Sequence, residues 1–192
     1  MRKKEVFNVC LTAMMISLAV VFELVSKFVL VLKMPNGGGI SIAMLPLVVC
    51  SVVCGFKYGL ISGIIYGLLD CFLLDGYAFN LASFILDYMI AYMSVCLASI
   101  FSKKILEGKR QYFILAYLIV MGVRFLACGL SGVINAKVWG YDQAFLEGMF
   151  GEGNASIWWL FLYSYIIYNL PYLGVTAIVS IIVAFSLSGL LT

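Results

Sequence analysis

Apolar stretches long enough to cross a lipid bilayer follow one another along almost the whole chain, separated by short segments that carry Gly, Pro or charge. Of the 192 residues, 65% are hydrophobic and 11% are charged, and the mean hydropathy is +1.12. Soluble domains are roughly half apolar and a quarter charged. One membrane span takes about 20 residues, so this length allows about six spans and leaves no room for a soluble domain.

The predicted architecture is therefore an all-α integral membrane protein, a six-transmembrane-helix bundle in which residues 1–192 form a single domain. The segment 55–58 is the only break between the second and third spans, which should form a helical hairpin. The basic N-terminal segment continues into the first span without a convincing cleavage site, so it is interpreted as a retained helix. Hydropathy places the six spans near 9–32, 40–56, 58–74, 79–101, 112–135 and 157–190.

The placement of Lys and Arg predicts the orientation of the bundle, because basic loops stay on the cytoplasmic side of a membrane. With the N-terminus inside, eight basic residues are cytoplasmic and two are outside. We predict a multi-pass plasma-membrane protein with both termini cytoplasmic and with the loop 136–156 outside. The cytoplasmic residues are Arg2, Lys3, Lys4, Lys57, Lys103, Lys104, Lys109 and Arg110, and the outer pair is Lys33 and Lys137.

The cysteines argue against a metal site or a disulfide framework. All six lie inside apolar stretches, where a free Cys behaves as a small buried packing residue. The chain has no histidine, and Cys50 and Cys54 lack a second ligand pair. We therefore expect no zinc, haem or other cofactor. The six are Cys10, Cys50, Cys54, Cys71, Cys96 and Cys128.

Ionisable residues within the predicted spans are costly in hydrocarbon, so each suggests a function. Glu23 and Lys27 are four apart and are expected to pair on one helix face. Asp70 could pair with Lys27 or end its helix, and its role stays open. Asp87 could form an interhelical salt bridge with Arg124. Alternatively, Asp87 faces a cavity open to the outside and meets a polar or cationic ligand, with Arg124 orienting the site.

Aromatic residues concentrate on the predicted outer side of the bundle. One interpretation is an interfacial belt, which is common in membrane proteins. All three tryptophans are on this side, however, so the second interpretation is a cage that stacks on a heteroaromatic ligand and attracts positive charge. Asn169 would add an amide inside the last helix. The outer aromatics are Tyr77, Trp139, Tyr141, Trp158, Trp159, Tyr163, Tyr165 and Tyr168.

Small residues repeat at helical spacing in two places. Ala13 and Ser17 are four apart on the first helix, and glycines recur every four residues from Gly55 to Gly67. Such stripes let helix backbones approach closely. For the glycines we predict packing inside the bundle. For Ala13 and Ser17, docking on another membrane subunit is an equal alternative.

Three motifs in order resemble those of a known family. They are MPNGGGISIAMLPLVV at 34–49, GFKYGLISGIIYG at 55–67 and LDGYAFNLASFILDY at 74–88. Together they resemble the S-components of energy-coupling factor (ECF) transporters, particularly the thiamine-specific ThiT-like type, over nearly the whole chain. The resemblance implies a small subunit that captures a vitamin on the outer face. It would deliver that vitamin through one transmembrane coupling subunit and two ATPase subunits, and would not itself be an enzyme.

The resemblance also implies functional residues. Asp87 and Tyr88 match an acidic-Tyr pair that usually begins with Glu, and Cys128 stands where the family has a histidine. Tyr163, Ser164 and Tyr165 compete for one role. Ala13 and Ser17 match the pair that docks on the coupling subunit. The expected substrate-binding residues are Tyr77, Asp87, Tyr88, Arg124, Cys128, Trp139, Tyr141, Tyr163, Tyr165 and Asn169.

Three other functions were compared with this one. An S-component for a different vitamin or small heteroaromatic molecule is the nearest alternative. An intramembrane enzyme built around Asp87 and Cys128 would need a general base, for which the sequence has few candidates. A channel would show a repeated polar stripe, and none is visible. The expected partners are a thiamine-like vitamin, the ECF subunits and membrane lipid, and no nucleic acid.

Overall fold

The protein is a bundle of long helices. A computed structural model describes residues 2–29, 34, 38–74, 76, 78–138 and 140–190. Within them, five helices are long and apolar enough to cross a membrane, which confirms the predicted all-α membrane class. The helices are α1 (Arg2–Val29), α2 (Met44–Cys54), α3 (Phe56–Leu73), α4 (Leu81–Leu106), α5 (Arg110–Ile134), α6 (Gln143–Phe150) and α7 (157–190).

Helix α2 is shorter than the predicted span 40–56. Its 11 residues extend about 16 Å, roughly half of a bilayer's hydrocarbon core. Pro46 lies in its first turn, and a proline ring would clash with the carbonyl of Ile42 if the helix began earlier. At the other end, Gly55 has φ 90° and separates α2 from α3 by a single residue. The break is thus tighter than the predicted segment 55–58, and the two helices pack together as expected.

Helices α4 and α7 are irregular at the level where the predicted site residues lie. In α4, Phe84–Ile90 forms a π-helical segment that contains Asp87. In α7, Tyr163–Asn169 forms a second one. Both segments pack against α5. π-Helical turns widen a helix locally and occur frequently at functional sites, so the region between α4, α5 and α7 is the first place to look for one.

The glycine stripe brings α3 close to α4, as the sequence predicts. A Cβ added at Gly63 would lie 2.3 Å from the carbonyl oxygen of Tyr92, and one at Gly67 would lie 2.4 Å from that of Tyr88. A Cβ at Gly59 would lie 3.1 Å from the Cα of Cys96. The glycines therefore allow direct backbone contact between the two helices.

Gly63→Ala is expected to destabilise the bundle by about 1–3 kcal/mol, because a methyl group must displace the α4 backbone. Thermal unfolding of the detergent-purified protein measures the loss. Gly122→Ala is the matched control, since a Cβ at Gly122 on α5 meets no atom within 4 Å. A helix-interior alanine there should be neutral or stabilising. Equal stability of the two variants would refute close packing at Gly63.

Helix α1 packs on α2 and α3 and presents its other face outward. Ala13 and Ser17 are exposed on that face, and the Ser17 hydroxyl donates to the carbonyl oxygen of Ala13 at 3.0 Å. Cys10 is exposed too, so the prediction that all six cysteines are buried is wrong for this one. The reason is that only one side of α1 has protein neighbours. Cys50, Cys71, Cys96 and Cys128 are buried, and Cys54 is half-buried.

The loop 136–156 contains a helix that hydropathy did not predict. α6 begins after Asp142, whose side chain accepts a hydrogen bond of 2.9 Å from the backbone N–H of Phe145. Such an N-cap can start a helix that is too short and too amphipathic for hydropathy to identify it as a membrane span. Because α1 and α5 end where α4 and α7 begin, α6 lies at the same end of the bundle as the start of α4. We call this the site end.

Candidate ligand-binding site

Asp87 is held by two neutral serine hydroxyls. Ser83, one turn earlier on α4, donates to Asp87 Oδ2 at 2.9 Å, and Ser131 on α5 donates to the same oxygen at 2.6 Å. The buried thiol of Cys128 on α5 is also in hydrogen-bonding contact with this carboxylate. The two serines thus orient the carboxylate through Oδ2 and leave Oδ1 outside their hydrogen bonds.

The two serines belong to a closed ring of hydrogen bonds between the start of α4 and the end of α5. Asn80 caps α4 by accepting from the backbone N–H of Ser83 at 2.9 Å, and its side-chain NH₂ donates to the side-chain oxygen Oδ1 of Asn135. Asn135 in turn donates to Ser131 Oγ at 3.3 Å. Ser83 donates twice in this ring and Asp87 accepts twice, so the ring fixes the Asp87 carboxylate relative to both helices.

Arg124 is paired with aromatic and acidic groups on a different side. Its Nη2 donates to the Tyr92 hydroxyl at 3.2 Å, and its guanidinium carbon lies 4.7 Å from the centroid of the Tyr92 ring. The Tyr92 hydroxyl donates onward to Asp70 Oδ2 at 2.6 Å. Arg124 Nε is buried and has no acceptor among the described residues. This arrangement gives Asp70, left open by the sequence, a definite partner.

The salt bridge considered between Asp87 and Arg124 does not form. The structure has no ion pair within 4.0 Å between these two described side chains, and each is held by other groups. The buried Cys128 lies between them and interacts electrostatically with both. Tyr172 on α7 is close enough to interact with the same three residues. Asp87, Arg124, Cys128 and Tyr172 thus surround one site at the junction of α4, α5 and α7.

Glu23 and Lys27 form the predicted pair on α1, with Lys27 Nζ 3.8 Å from Glu23 Oε1. The pair is also tied to other elements. Glu23 accepts from Ser41 Oγ and from the Tyr66 hydroxyl, the latter at 3.5 Å, and Lys27 donates to the carbonyl oxygen of Leu74. These contacts join α1 to the start of α2 and the end of α3 at the site end.

A cluster of aromatic rings adjoins the site. The Tyr163 ring centroid lies 4.7 Å from that of Tyr141 and 5.1 Å from that of Phe145. Tyr168 lies 6.4 Å from both Tyr163 and Tyr172 and so connects the cluster to the site. Tyr141 is only 7% exposed, which favours the cage interpretation over the belt for this residue.

Asn169 is buried and oriented by two hydrogen bonds. Its Nδ2 donates to the Ser164 carbonyl oxygen and its Oδ1 accepts from the Tyr172 hydroxyl, both at 2.7 Å. The connection before α2 reaches the same tyrosine: Gly38 has φ 82°, and a Cβ there would lie 2.9 Å from the Tyr172 ring. Only glycine combines that backbone conformation with so close an approach.

Tyr163, not Tyr165, points into the aromatic cluster. Tyr165 lies across Gly129 and donates to the carbonyl oxygen of Leu126 at 3.0 Å, which packs α7 on α5. Ser164 donates to the Gly129 carbonyl oxygen at 2.7 Å. The extra π-helical residue rotates the α7 faces, which explains why spacing alone left these three in competition.

The remaining predicted residues are less informative. Tyr77 and Trp139 lie outside the described residues. Tyr88 is half-buried, and its backbone meets Gly67. Trp158 is 77% exposed, as expected for a belt, and Trp159 packs on Phe150 at 4.6 Å. Within the described part of the chain, no cluster of three or more His, Cys, Asp or Glu side chains could hold a metal ion.

Several residues that build the site could not be identified from the sequence. Ser83 and Ser131 escaped notice because a serine within an apolar helix usually bonds to its own backbone. The spacing signal was present, since Ser83 and Asp87 are four apart, as are Ser131 and Asn135. Tyr92 and Tyr172 were also missed. The assembled groups offer a carboxylate, an orienting amide and tyrosine rings packed edge-on or tilted against one another, which suits a flat, cationic or amine-bearing molecule.

Known proteins resemble this chain in sequence and in fold. The family model described as thiamine transporter protein matches residues 9–190. The thiamine transporter ThiT of Bacillus subtilis (strain 168) is 26% identical over 186 residues, covering 95% of this chain and 90% of that protein. A solved structure of ThiT from Listeria monocytogenes matches with a TM-score of 0.72 at 20% identity. That match covers 94% of this chain and 92% of the other and supports the fold.

Proposed function

Because the chain belongs to the thiamine transporter protein family, we propose that it is the substrate-capture subunit of an ECF-type importer. In this role it binds thiamine or a related precursor at the extracellular face of the plasma membrane. It then delivers the molecule through an ATP-driven coupling module made of a transmembrane subunit and two ATPase subunits.

The observation that carries the ligand proposal is the Asp87 carboxylate, whose Oδ1 is engaged by neither serine, beside a cluster of tyrosine rings. Thiamine combines an aminopyrimidine, which can donate hydrogen bonds, with a positively charged thiazolium ring. Asp87 Oδ1 can accept from the first or attract the second, because neutral serines occupy only Oδ2. Rings such as Tyr163 and Tyr141 offer faces for either heterocycle.

The charge distribution supports the proposed orientation. With the short α2 included, the helices α1 to α5 and α7 alternate in direction, so the start of α1 and the end of α7 lie opposite the site end. The described basic residues at the ends away from the site include Lys3, Lys57, Lys103 and Lys109. Since basic segments remain in the cytoplasm, the site end would face outward, where an imported molecule is first met.

A different vitamin or small heteroaromatic molecule is the second candidate ligand. The observation that favours it is Cys128, which occupies the position beside Asp87 and Arg124 where the resembled family has a histidine. A thiol is a much weaker hydrogen-bonding group than an imidazole. An enzyme is not proposed, because the homologues are named as transporters and no described group near Asp87 is an obvious base.

A thermal-shift and native mass spectrometry screen of the purified protein against B vitamins and their precursors tests the ligand. We expect thiamine to raise the unfolding temperature most, since a ligand at about 100 times its Kd stabilises by about 2.7 kcal/mol. Retention of one thiamine per chain in the mass spectrum is the second readout. Stabilisation by another heteroaromatic vitamin alone would select the second candidate, and stabilisation by none would refute the proposed capture role.

A further inference from the structure

The buried charge of Arg124 is compensated from α3 through Tyr92. Asp70 lies near the end of α3, and its Oδ2 accepts from the Tyr92 hydroxyl at 2.6 Å. That hydroxyl also accepts from Arg124 Nη2 at 3.2 Å. The Tyr92 hydroxyl oxygen on α4 therefore connects the carboxylate of Asp70 on α3 to the guanidinium of Arg124 on α5. A buried positive charge requires such a partner.

The geometry of this relay is set by close packing. Gly63 and Gly67 let α3 approach the α4 backbone at Tyr92 and Tyr88, which brings Asp70 within reach of the Tyr92 hydroxyl. Tyr66 packs edge-on against the Tyr92 ring, with centroids 4.9 Å apart, and restricts its rotation. The ring also lies under the guanidinium of Arg124, so the guanidinium position depends on Tyr92.

The other nearby charges do not take over this role. Glu23 and Lys27 lie 3.8 Å apart on α1 and offset each other. Glu23 reaches Tyr66, but Tyr92 donates to Asp70. Asp87 is held by serines. Asp87 is connected to Arg124 through the weakly hydrogen-bonding thiol of Cys128, whereas Asp70 is connected to it through the Tyr92 hydroxyl.

We propose that Asp70, acting through the Tyr92 hydroxyl, is a positioning residue that holds Arg124 away from Asp87 and so makes the site selective for a positively charged ligand. This inference rests on the proposed capture function. If Asp70 did not hold it, Arg124 would turn toward Asp87, which lies on the other side of the Cys128 thiol and already interacts with the Arg124 charge, and would neutralise the carboxylate that the ligand needs. The relay thereby makes the site discriminate between charged and uncharged ligands, in addition to any effect on affinity.

The test compares a charged with an uncharged probe. Thiamine is the cation, and its uncharged half, 4-amino-5-hydroxymethyl-2-methylpyrimidine, is the neutral probe. The ratio of their affinities is measured by calorimetry for wild type, Asp70→Asn and Asp70→Asn with Arg124→Gln. We expect Asp70→Asn to lower the ratio about tenfold and the double variant to restore most of it. A purely structural role would weaken both probes equally, and that result overturns the proposal.

Tyr92→Phe provides a second variant if Asp70→Asn is poorly folded. It keeps the ring under Arg124 but removes the bridging oxygen. The affinity ratio should fall in the same direction as in Asp70→Asn, and an unchanged ratio counts against the relay.

A ligand-free measurement separates this proposal from the proposed function. Thermal unfolding is followed for Asp70→Asn, Arg124→Gln and the double variant. Each single change should lower the unfolding temperature by about 5–15 °C, because it leaves a buried group without its partner. The double variant should lose clearly less than the sum. Additive losses overturn the Asp70–Arg124 relay, whereas coupling without any thiamine binding refutes only the thiamine function.

Discussion

Asp87→Asn is expected to weaken thiamine binding by about 30-fold or more while the protein still folds. The loss follows from removing a buried charged acceptor, which costs about 2 kcal/mol or more in binding. The fold should survive because the structural partners of Asp87 are the neutral hydroxyls of Ser83 and Ser131. An asparagine oxygen accepts from both, and no buried cation loses its partner. Calorimetry and thermal unfolding on the same preparation measure the two effects.

Glu152→Gln is the matched control for this change. Glu152 is an exposed acid in the segment between α6 and α7, at the same end of the bundle. Removing its charge tests whether a general loss of negative charge near the site affects a cationic ligand, and affinity should change less than about twofold. Unaltered thiamine affinity in Asp87→Asn would remove Asp87 from the site, and unfolding of that variant would show that its role is structural.

Ala13→Trp and Ser17→Trp are each expected to abolish thiamine uptake by cells and to leave thiamine affinity within about twofold of wild type. Both residues are exposed on α1, and neither contributes to the hydrogen bonds around Asp87 or Arg124. A large ring there blocks the close approach of a partner helix. Uptake of radiolabelled thiamine and calorimetry on the purified protein measure the two properties separately.

Leu118→Trp controls for bulk at an exposed apolar position. Leu118 on α5 is 49% exposed and should face lipid, so the variant should transport normally. Ser17→Ala, which keeps the surface small, should also transport. If transport and binding fell together in the Trp variants, the outward face of α1 would not be a docking surface for a coupling subunit.

Hydropathy predicted the long helices well because a bilayer imposes a minimum apolar length on every crossing. The glycine stripe on α3 was equally readable, since Gly59, Gly63 and Gly67 share one face once this apolar segment is helical. The membership of the chain in the thiamine-specific family confirms the resemblance of its motifs. These features depend on local sequence or on periodicity, which a single chain displays directly.

Features that depend on the meeting of two helices could not be predicted. The partners of Asp87 became identifiable only once Ser131 on α5 was brought to it. The same holds for Asp70 and Arg124, which meet through Tyr92 on a third helix. The interhelical salt bridge considered from sequence paired the two most obvious charges. In the structure each is held by other groups, Asp87 by Ser83 and Ser131 and Arg124 by Tyr92, and the Cys128 thiol contacts both.

Helix ends were the other source of error. Pro46 shortens α2, and the cap at Asp142 starts α6 in a segment expected to be a loop. The π-helical turns in α4 and α7 shift the side-chain faces by one residue, which a 3.6-residue period cannot anticipate. Because of that shift, the Tyr163 ring contacts the Tyr141 ring, whereas the Tyr165 ring packs on Gly129.

A structure of the protein in complex with thiamine, determined in lipid nanodiscs or detergent, tests the central claim most directly. We expect one thiamine molecule at the junction of α4, α5 and α7. A donor or the thiazolium ring should lie within about 3.5 Å of Asp87 Oδ1, and at least one heterocycle should stack on the tyrosine cluster. The Arg124 guanidinium should remain over the Tyr92 ring. Thiamine bound elsewhere, or Asp87 Oδ1 turned onto Arg124 with no contact to the ligand, would contradict the account.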